Sequence, residues 1–253
     1  MKTTQNTIKY RLPVKITALV TSIVLLLSIC SSGAYAEVPK YNLPDYDEIA
    51  GKLMTFDEET WEIRPVEDRL YPDGIITPLE MDMDERIEIV KELCLEYAPN
   101  DYIAYGMLAM CIRESKCKSY AVAGQRAFSQ EFTDYVSSGF EDGSTRDYYI
   151  YHCKNVSGGY GLAQWSSYTL NFNFYEFARA WGTSIGDAEM QVAFIIESSK
   201  HTNLGDLWSY LEKCKSPYEA GLQFGMKYDV ASAPDYVGQL AQQQYYNDFG
   251  KWK

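Results

Sequence analysis

The chain contains 253 residues, of which 23 are lysine or arginine and 35 are aspartate or glutamate, so its formal net charge is −12. A chain of this length is expected to form one domain with a substantial core, together with an extension. Nucleic-acid binding needs a positive surface, and the acidic composition therefore excludes nucleic acid from the expected partners. The sequence also lacks the C-x-x-C and H-x-x-x-H spacings of zinc sites. We expect neither a metal nor an organic cofactor.

The first 36 residues have the organisation of a secretory signal peptide. Basic residues precede the apolar stretch Ile16–Ile29, and Ala34-Tyr35-Ala36 has the small-x-small pattern of a cleavage site. The apolar stretch is shorter than the ~20 residues of a membrane span. We therefore expect a mature chain without a transmembrane segment, secreted and extracellular or associated with the cell wall. Processing at Cys30 to give a membrane-anchored lipoprotein is the alternative.

Residues 37–81 form a segment of a different kind. It contains five prolines and many acids, without helical or strand periodicity. We predict an extended acidic arm that serves either as a spacer or as a docking segment for a protein partner. The functional domain is then expected over residues 82–253.

From Asp82 onward, apolar residues recur at helical spacing, which predicts a mainly α-helical domain. The apolar run Ile103–Ile112 predicts a central helix that is buried on all sides. A polar, aromatic-rich stretch between Ser119 and Gly158 predicts a short hairpin or a long loop. Further helices are predicted near residues 83–98, over Phe172–Trp181, from Ser184 through Ile195, over Leu204–Leu211, from Ser216, and from Pro234 to near Phe249.

Five cysteines follow the predicted signal peptide, an odd number for an exported protein, so at most two disulfides are expected. Cys111 and Cys117 bracket Glu114, and a bond between them would hold the end of the central helix. The sequence leaves the pairing open among Cys94, Cys111, Cys117, Cys153 and Cys214.

Glu114 stands at the end of the central helix. A carboxyl group at the C-terminal end of a buried helix tends to keep its proton, because apolar surroundings and the helix dipole both disfavour the anion. Cleavage of a glycosidic bond near neutral pH requires such a proton donor. The alternative is that Glu114 is simply the first exposed residue after a core helix.

A glycine-rich segment lies downstream of Glu114. The glycines of Gly158-Gly159-Tyr160-Gly161 allow the backbone to approach a ligand closely. Gln164 offers an amide with donors and an acceptor, while Tyr160 and Trp165 offer flat faces for sugar rings. With Glu114, this mixture of groups predicts a saccharide site.

These residues resemble the phage tail lysozyme family, a branch of the lysozyme-like superfamily that includes goose-type lysozymes and soluble lytic transglycosylases. The resemblance extends from about Ile103 to Phe249. It is carried by Tyr105–Ala109, Glu114-Ser115, Tyr135–Gly139, Gly159–Trp165, Ala178–Asp187, Met190-Gln191 and Tyr228-Asp229.

The resemblance implies an α+β lysozyme-like domain in which a loop or hairpin region flanks a cleft. It also implies cleavage of the β-1,4 bond between N-acetylmuramic acid and N-acetylglucosamine, with peptidoglycan glycan strands as the partner and Glu114 as general acid and base. The residues implied to bind substrate are Ser115, Tyr160, Gly161, Gln164, Trp165 and Tyr228.

The sequence departs from the family pattern at two places. Thr169–Phe172 stands where members commonly carry an Arg-Lys pair, and Tyr228–Ala231 stands where they carry Tyr-Glu-Arg-Pro. The missing arginines are cations that could hold anionic peptide stems. The alternative function is therefore a catalytically degenerate module that binds wall glycan or a partner protein. A third possibility is a scaffold that acts through the arm.

The mechanism depends on whether a second carboxylate faces Glu114. A close partner would act as a nucleophile and retain configuration, whereas a wider spacing with a water between would invert it. Without a partner, Glu114 alone would act as acid and then as base toward the muramic 6-hydroxyl, releasing a 1,6-anhydro product as lytic transglycosylases do. The candidates for a second carboxylate are Glu141, Asp142, Asp147 and Asp229.

Overall fold

Helices make up most of the regular structure in the computed structural model, which describes residues 61–78, 80–123, 129–201, 207–228 and 232–250. The predicted signal peptide with Cys30, and residues 37–60 of the predicted arm, lie outside the described residues. The prediction of a mainly α domain is confirmed. In chain order the α-helices are α1 (Met83–Tyr97), α2 (Asp101–Ser115), α3 (Ser129–Ser138), α4 (Arg146–His152), α5 (Tyr168–Trp181), α6 (Ala188–His201), α7 (Leu207–Leu211), α8 (Pro217–Gln223) and α9 (Pro234–Phe249).

Polar caps set the beginnings of several helices where the sequence predicted them. Asp82 accepts a hydrogen bond from Asp84 N at 2.8 Å, and Asn100 accepts one from Ile103 N at 3.1 Å. Ser216 caps α8 in the same way, with proline at the first helical position. Each cap satisfies a backbone N–H that the helix itself leaves without a partner. The predicted hairpin of α1 and α2 is confirmed.

Two helix starts differ from the predictions. Helix α5 begins at Tyr168 rather than Phe172, because the Ser167 hydroxyl caps it by accepting from Leu170 N at 3.2 Å. Helix α6 begins at Ala188 rather than Ser184, where Asp187 accepts from Glu189 N at 3.0 Å. Residues 204–206 of the helix predicted over Leu204–Leu211 lie outside the described ranges.

Helices α3 and α4, followed by a π-helical turn at Cys153–Ser157, occupy most of the stretch where we expected a hairpin or a long loop. In the described part of this stretch, β-pairing is limited to one antiparallel bridge between Val122 and Tyr160. Helix α3 buries the polar residues Ser129 and Thr133, whose hydroxyls bond Val122 N and the Tyr160 hydroxyl. Such buried polar groups conceal the helical period in the sequence.

The central helix α2 is buried from Ile103 through Ile112, as the apolar run predicted. It packs against α1, α8 and α9. A Cβ atom on Gly106 would lie 2.8 Å from the backbone carbon of Ala220, so α8 crosses α2 in close backbone contact. The helix that carries Glu114 is therefore held on several sides.

Residues 61–78, which we call the N-terminal strap, pack against the helical domain. The Trp61 ring lies 5.5 Å from that of Phe177, in an edge-on contact within the core. The backbone N–H groups of Leu70 and Tyr71 donate to the carboxylate of Glu189, at 2.8 and 2.7 Å. Glu189 is fully buried on α6. A buried carboxylate thus fixes the middle of the strap.

The end of the strap is tied to α6 and to the segment that follows α2. Ile75 N donates to Asp187 at 3.2 Å, and Ala188 N donates to the Ile75 carbonyl at 2.6 Å. Thr77 and Ser119 exchange hydrogen bonds, each hydroxyl accepting from the other residue's backbone N–H, at 3.1 and 2.9 Å. The packed structure therefore includes residues that we assigned to the arm on sequence grounds.

Cys111 and Cys117, between which the sequence left a disulfide open, are not joined in the structure, and all five described cysteines are free. Hydrogen bonds close the end of α2 instead, from Lys116 N to the Ile112 carbonyl at 3.0 Å and from Cys117 N to the Cys111 carbonyl at 3.2 Å. Lys116 and Cys117 both adopt left-handed backbone angles in this closure. Burial raises the thiol pKa of Cys94, Cys111, Cys117 and Cys153, and raises that of Cys214 to about 11.

Candidate active site

Glu114 lies in the last turn of α2, at the point where the buried helix reaches the surface. Its side chain is 18% exposed, and Arg113 beside it is 22% exposed. The Arg113 guanidinium donates to the Glu114 carboxylate and forms an ion pair with it. Solvent and small solutes can therefore reach both charged groups, although the preceding ten residues of the helix are buried.

Ser115 and Arg86 fix the backbone around Glu114. The Ser115 hydroxyl donates to the Cys111 carbonyl at 3.1 Å and accepts from Lys118 N at 3.2 Å. Buried Arg86 donates from Nε to the Lys116 carbonyl at 3.2 Å, and from Nη1 to the carbonyls of strap residue Pro78 and of Met81. The left-handed turn after Glu114 is thus clamped between α1 and the strap.

The glycine-rich segment lies against residues 121–123, which follow the closed end of α2. Gly161 N donates to the Ala121 carbonyl at 3.0 Å, and Gln164 Nε2 donates to the same carbonyl at 3.0 Å and to the Gly161 carbonyl at 2.8 Å. Gln164 is only partly buried and has a positive φ of 49°. Its amide nitrogen therefore holds the loop together, while the residue stays within reach of solvent.

Gly161 is required by a close approach to α6. Its φ is +74°, and a Cβ there would lie 2.7 Å from Gln191 Oε1 and 2.9 Å from the Trp165 ring. The same Gln191 oxygen accepts from Leu162 N at 2.8 Å, while its amide nitrogen donates to the Ser119 and Ile185 carbonyls. Gln191 thus couples the glycine-rich segment to the segment after Glu114.

The aromatic rings of the glycine-rich segment face the interior. Tyr160 is fully buried, and its hydroxyl bonds that of Thr133 at 2.7 Å. Trp165 is 2% exposed and stacks on Phe174 with 4.4 Å between ring centroids. The structure therefore does not present these rings as open faces for sugars.

Trp165 is instead one end of a buried hydrogen-bond chain. Its Nε1 donates to the Tyr228 hydroxyl at 2.9 Å, and that hydroxyl bonds Ser198 Oγ at 2.9 Å. Burial raises the pKa of Tyr228 and of Tyr160, so both phenols stay neutral at physiological pH. The turn that carries Tyr228 also packs against α2. The chain thus links the glycine-rich segment, α6 and the turn that follows α8.

Two of the four candidates for a second carboxylate, Asp142 and Asp147, have local partners in the structure. Asp142 is exposed and accepts from Ser144 N at 2.9 Å, and hydrogen bonds with the side chain and then the backbone of Ser144 lower its pKa. Asp147 contacts Arg146 at 3.4 Å. Glu141 lines a cavity of about 870 Å³ to which neither Glu114 nor the glycine-rich segment contributes. Asp229 lies outside the described residues.

That cavity contains a buried ion-pair group that the sequence did not single out. Glu176 on α5 is 8% exposed and pairs with Arg179 at 2.7 Å and with Arg146 at 3.5 Å. Arg179 Nε also donates to the Phe140 carbonyl at 2.6 Å. These contacts tie the loop after α3 to α5. Three further residues of the site were not predicted from the sequence: Arg113, which pairs with Glu114, and Arg86 and Gln191, which bond the backbone of the segment after it. Of these, only Arg113 had a local signal, its position next to Glu114.

Within the described ranges, no group of three or more His, Cys, Asp or Glu side chains is placed to hold a metal ion. None of the helices in those ranges is long and apolar enough to cross a membrane.

The domain is mainly helical, carries an accessible carboxyl group at the end of a buried helix, and holds a glycine-rich segment against residues that follow that helix. These are features of a lysozyme-like domain. The phage tail lysozyme family model matches residues 95–249, and the chain belongs to this family. No curated protein and no solved structure was found to match the chain. Family membership confirms the resemblance seen in the sequence. It indicates a peptidoglycan-lytic, lysozyme-like module that acts outside the cytoplasm.

Proposed function

We propose that this protein is an exported glycosidase that cleaves the bond between N-acetylmuramic acid and N-acetylglucosamine, with Glu114 as the general acid. The observation that carries the proposal is the placement of Glu114. Its carboxyl group is accessible at the end of a helix whose preceding residues are buried and whose closing turn is clamped. A proton donor on rigid structure keeps its geometry through the reaction, which general acid catalysis requires.

In the first step the Glu114 carboxyl proton moves to the glycosidic oxygen as the bond from that oxygen to the muramic C1 breaks. The carboxylate that remains then accepts a proton from the incoming nucleophile. If the nucleophile is water, the product has a reducing muramic end. If it is the muramic 6-hydroxyl, the product has a 1,6-anhydro end. The local partners of Asp142 and Asp147, and the position of Glu141 in a cavity to which Glu114 does not contribute, support a mechanism in which Glu114 serves as both acid and base.

We assign the remaining site residues mainly to positioning. Ser115 fixes the turn after the acid, and Gly161 allows the glycine-rich segment to approach α6. Tyr160, Trp165 and Tyr228 hold that segment from inside through the hydrogen bonds described above. The partly exposed Gln164 is the member of this set that we expect to contact the glycan.

Export through residues 1–36 is part of the same proposal, with binding of a protein partner by residues 37–60 as an accessory role. Intact-mass measurement of the protein recovered from the medium or the wall tests the first point. An N-terminus at Glu37 is expected. A lipid-modified N-terminus at Cys30 would contradict secretion as a free chain.

The catalytic proposal is tested with peptidoglycan from several wall types, the protein spanning residues 37–253 and its Glu114→Gln variant. Mass spectrometry of the soluble fragments identifies the ends that are produced. We expect fragments from the native protein and far fewer from the variant, because an amide N–H is too weak an acid to protonate the glycosidic oxygen. If neither protein releases fragments but both sediment with the wall, the binding module is the correct function.

A further inference from the structure

The ion pair between Arg113 and Glu114 bears on the general-acid role proposed for Glu114, and an inference from it rests on that proposed function. A guanidinium in contact with a carboxyl group favours the ionised carboxylate. A general acid must instead carry a proton when the substrate is bound. The pair seen in the structure therefore suits the free protein, and it must open before Glu114 can protonate a glycosidic oxygen.

The position of Glu114 in its helix disfavours the anion relative to the protonated acid. Glu114 lies at the C-terminal end of α2, where the helix dipole disfavours a negative charge. Its charge also acts on the buried thiol of Cys111 one turn earlier and helps to raise the pKa of that thiol. Arg86 donates to the backbone carbonyls of Lys116 and Pro78.

Arg113 has the exposure and the chemistry to exchange partners. Its side chain is 22% exposed, so a ligand can reach the guanidinium. Guanidinium groups bind carboxylates in a planar geometry with two parallel hydrogen bonds. The proposed substrate offers carboxylates, because each muramic residue carries either a lactyl carboxylate or a peptide stem that contains them. The sequence also lacks two arginines that relatives could use for these groups.

We propose that Arg113 is a specificity-determining residue that exchanges its carboxylate partner when the glycan binds. In the free protein it pairs with Glu114. In the complex it pairs with a carboxylate of the muramic residue or its stem, and Glu114 takes up a proton from solvent that it then delivers to the glycosidic oxygen. Cleavage is thereby selective for glycan strands that carry carboxylates.

The test compares two forms of one substrate. Peptidoglycan strands are used untreated, or after their carboxylates have been converted to amides with carbodiimide and ammonia. The full chain, exported and processed by its host, is assayed for kcat/KM on both forms. Because one charge-assisted hydrogen bond corresponds to about a ten-fold effect on binding, we expect the native protein to prefer untreated strands by about ten-fold or more.

Three variants distinguish a specific role of Arg113 in the substrate preference from a general effect of positive charge. Arg113→Gln is expected to reduce the preference to near unity, mainly by losing activity on untreated strands. Arg113→Lys is expected to recover part of the preference, because an ammonium keeps the charge without the planar geometry. Lys116→Gln removes an exposed charge from the same helix end and is expected to leave the preference unchanged.

The outcomes distinguish this inference from the proposed function. If the native protein cleaves both substrates equally, or if Arg113→Gln keeps the preference, the exchange is wrong while the glycosidase stands. An equal loss of preference in Lys116→Gln would also overturn it in favour of a diffuse charge effect. If the native protein cleaves neither substrate, the proposed function fails and the inference fails with it.

Discussion

Replacing Glu189 by glutamine tests whether the N-terminal strap is part of the folded domain. The Glu189 side chain is fully buried on α6, and its carboxylate accepts three hydrogen bonds. Oε1 accepts from Leu70 N at 2.8 Å and from the Tyr97 hydroxyl at 2.7 Å, while Oε2 accepts from Tyr71 N at 2.7 Å. Two of these donors belong to the strap and the third to α1.

A glutamine at this position can satisfy only part of the set. With its oxygen in the Oε1 position it keeps the contacts with Leu70 and Tyr97, but its amide nitrogen then faces the donor Tyr71 N–H. The opposite orientation keeps one contact and places the nitrogen against the other two donors. One charge-assisted hydrogen bond is lost and the partly buried Tyr71 N–H is left without this acceptor, which together cost about 2–4 kcal/mol.

The assay is urea unfolding of residues 37–253, followed by tryptophan fluorescence. Glu189→Gln is expected to lower the free energy of unfolding by about 2–4 kcal/mol with an unchanged urea dependence. The matched control is Glu131→Gln on the exposed side of α3, for which we expect a loss below about 1 kcal/mol. Equal losses in the two variants would refute the argument that Glu189 anchors the strap.

Three further predictions concern burial. Asp187 accepts from Ile75 N, Glu189 N and the Thr183 hydroxyl, and burial raises its pKa above the ordinary 3.8. Asp187→Asn can keep all three contacts without a buried charge, so at pH 7 it should be at least as stable as the native protein. The native carboxylate takes up its proton as the pH falls through the raised pKa, which removes the cost of the buried charge. Any advantage of the variant in free energy of unfolding should therefore shrink on acidification toward pH 3.8. Urea titrations across this range measure the difference, and an advantage that grows would contradict the assignment. Asn173 is buried on α5, and neither polar atom of its amide has a hydrogen-bond partner among the described residues. Asn173→Leu should therefore raise the free energy of unfolding by about 1–3 kcal/mol. A lower free energy of unfolding in this variant would show that the amide is satisfied. A chain beginning at residue 61 should give a sharp thermal transition, whereas one beginning at residue 82 should not, because it lacks the donors to Glu189; equal transitions would restore the domain boundary predicted at residue 82.

The sequence predicted those elements whose signal is local. The apolar run of α2 is buried throughout, as its composition requires. The caps Asn100 and Ser216 begin helices where their side chains can accept a backbone N–H a few residues later. Helix α3 was missed because part of its buried face is polar, and Thr133 is satisfied by Tyr160, far along the chain. No local pattern records that partner.

The strap and the glycine-rich segment are also held by residues far along the chain. Prolines and acids made residues 61–78 resemble a free arm, but the acceptors that hold the strap lie on α6. Glu114 was placed correctly at the end of the central helix because helix position can be predicted from periodicity. The rings of Tyr160 and Trp165 suggested sugar faces, yet their orientation depends on distant neighbours such as Phe174 and Tyr228.

The most direct test of the central claim is the rate at which Glu114→Gln releases soluble fragments from purified peptidoglycan, relative to the native protein. Both proteins must first show the same thermal unfolding transition, so that a lost fold is not mistaken for a lost acid. Loss of a general acid is expected to slow cleavage by about 10²–10⁴-fold, with identical fragment ends in any residual activity. A variant that cleaves at the native rate would contradict the assignment of Glu114 as the proton donor.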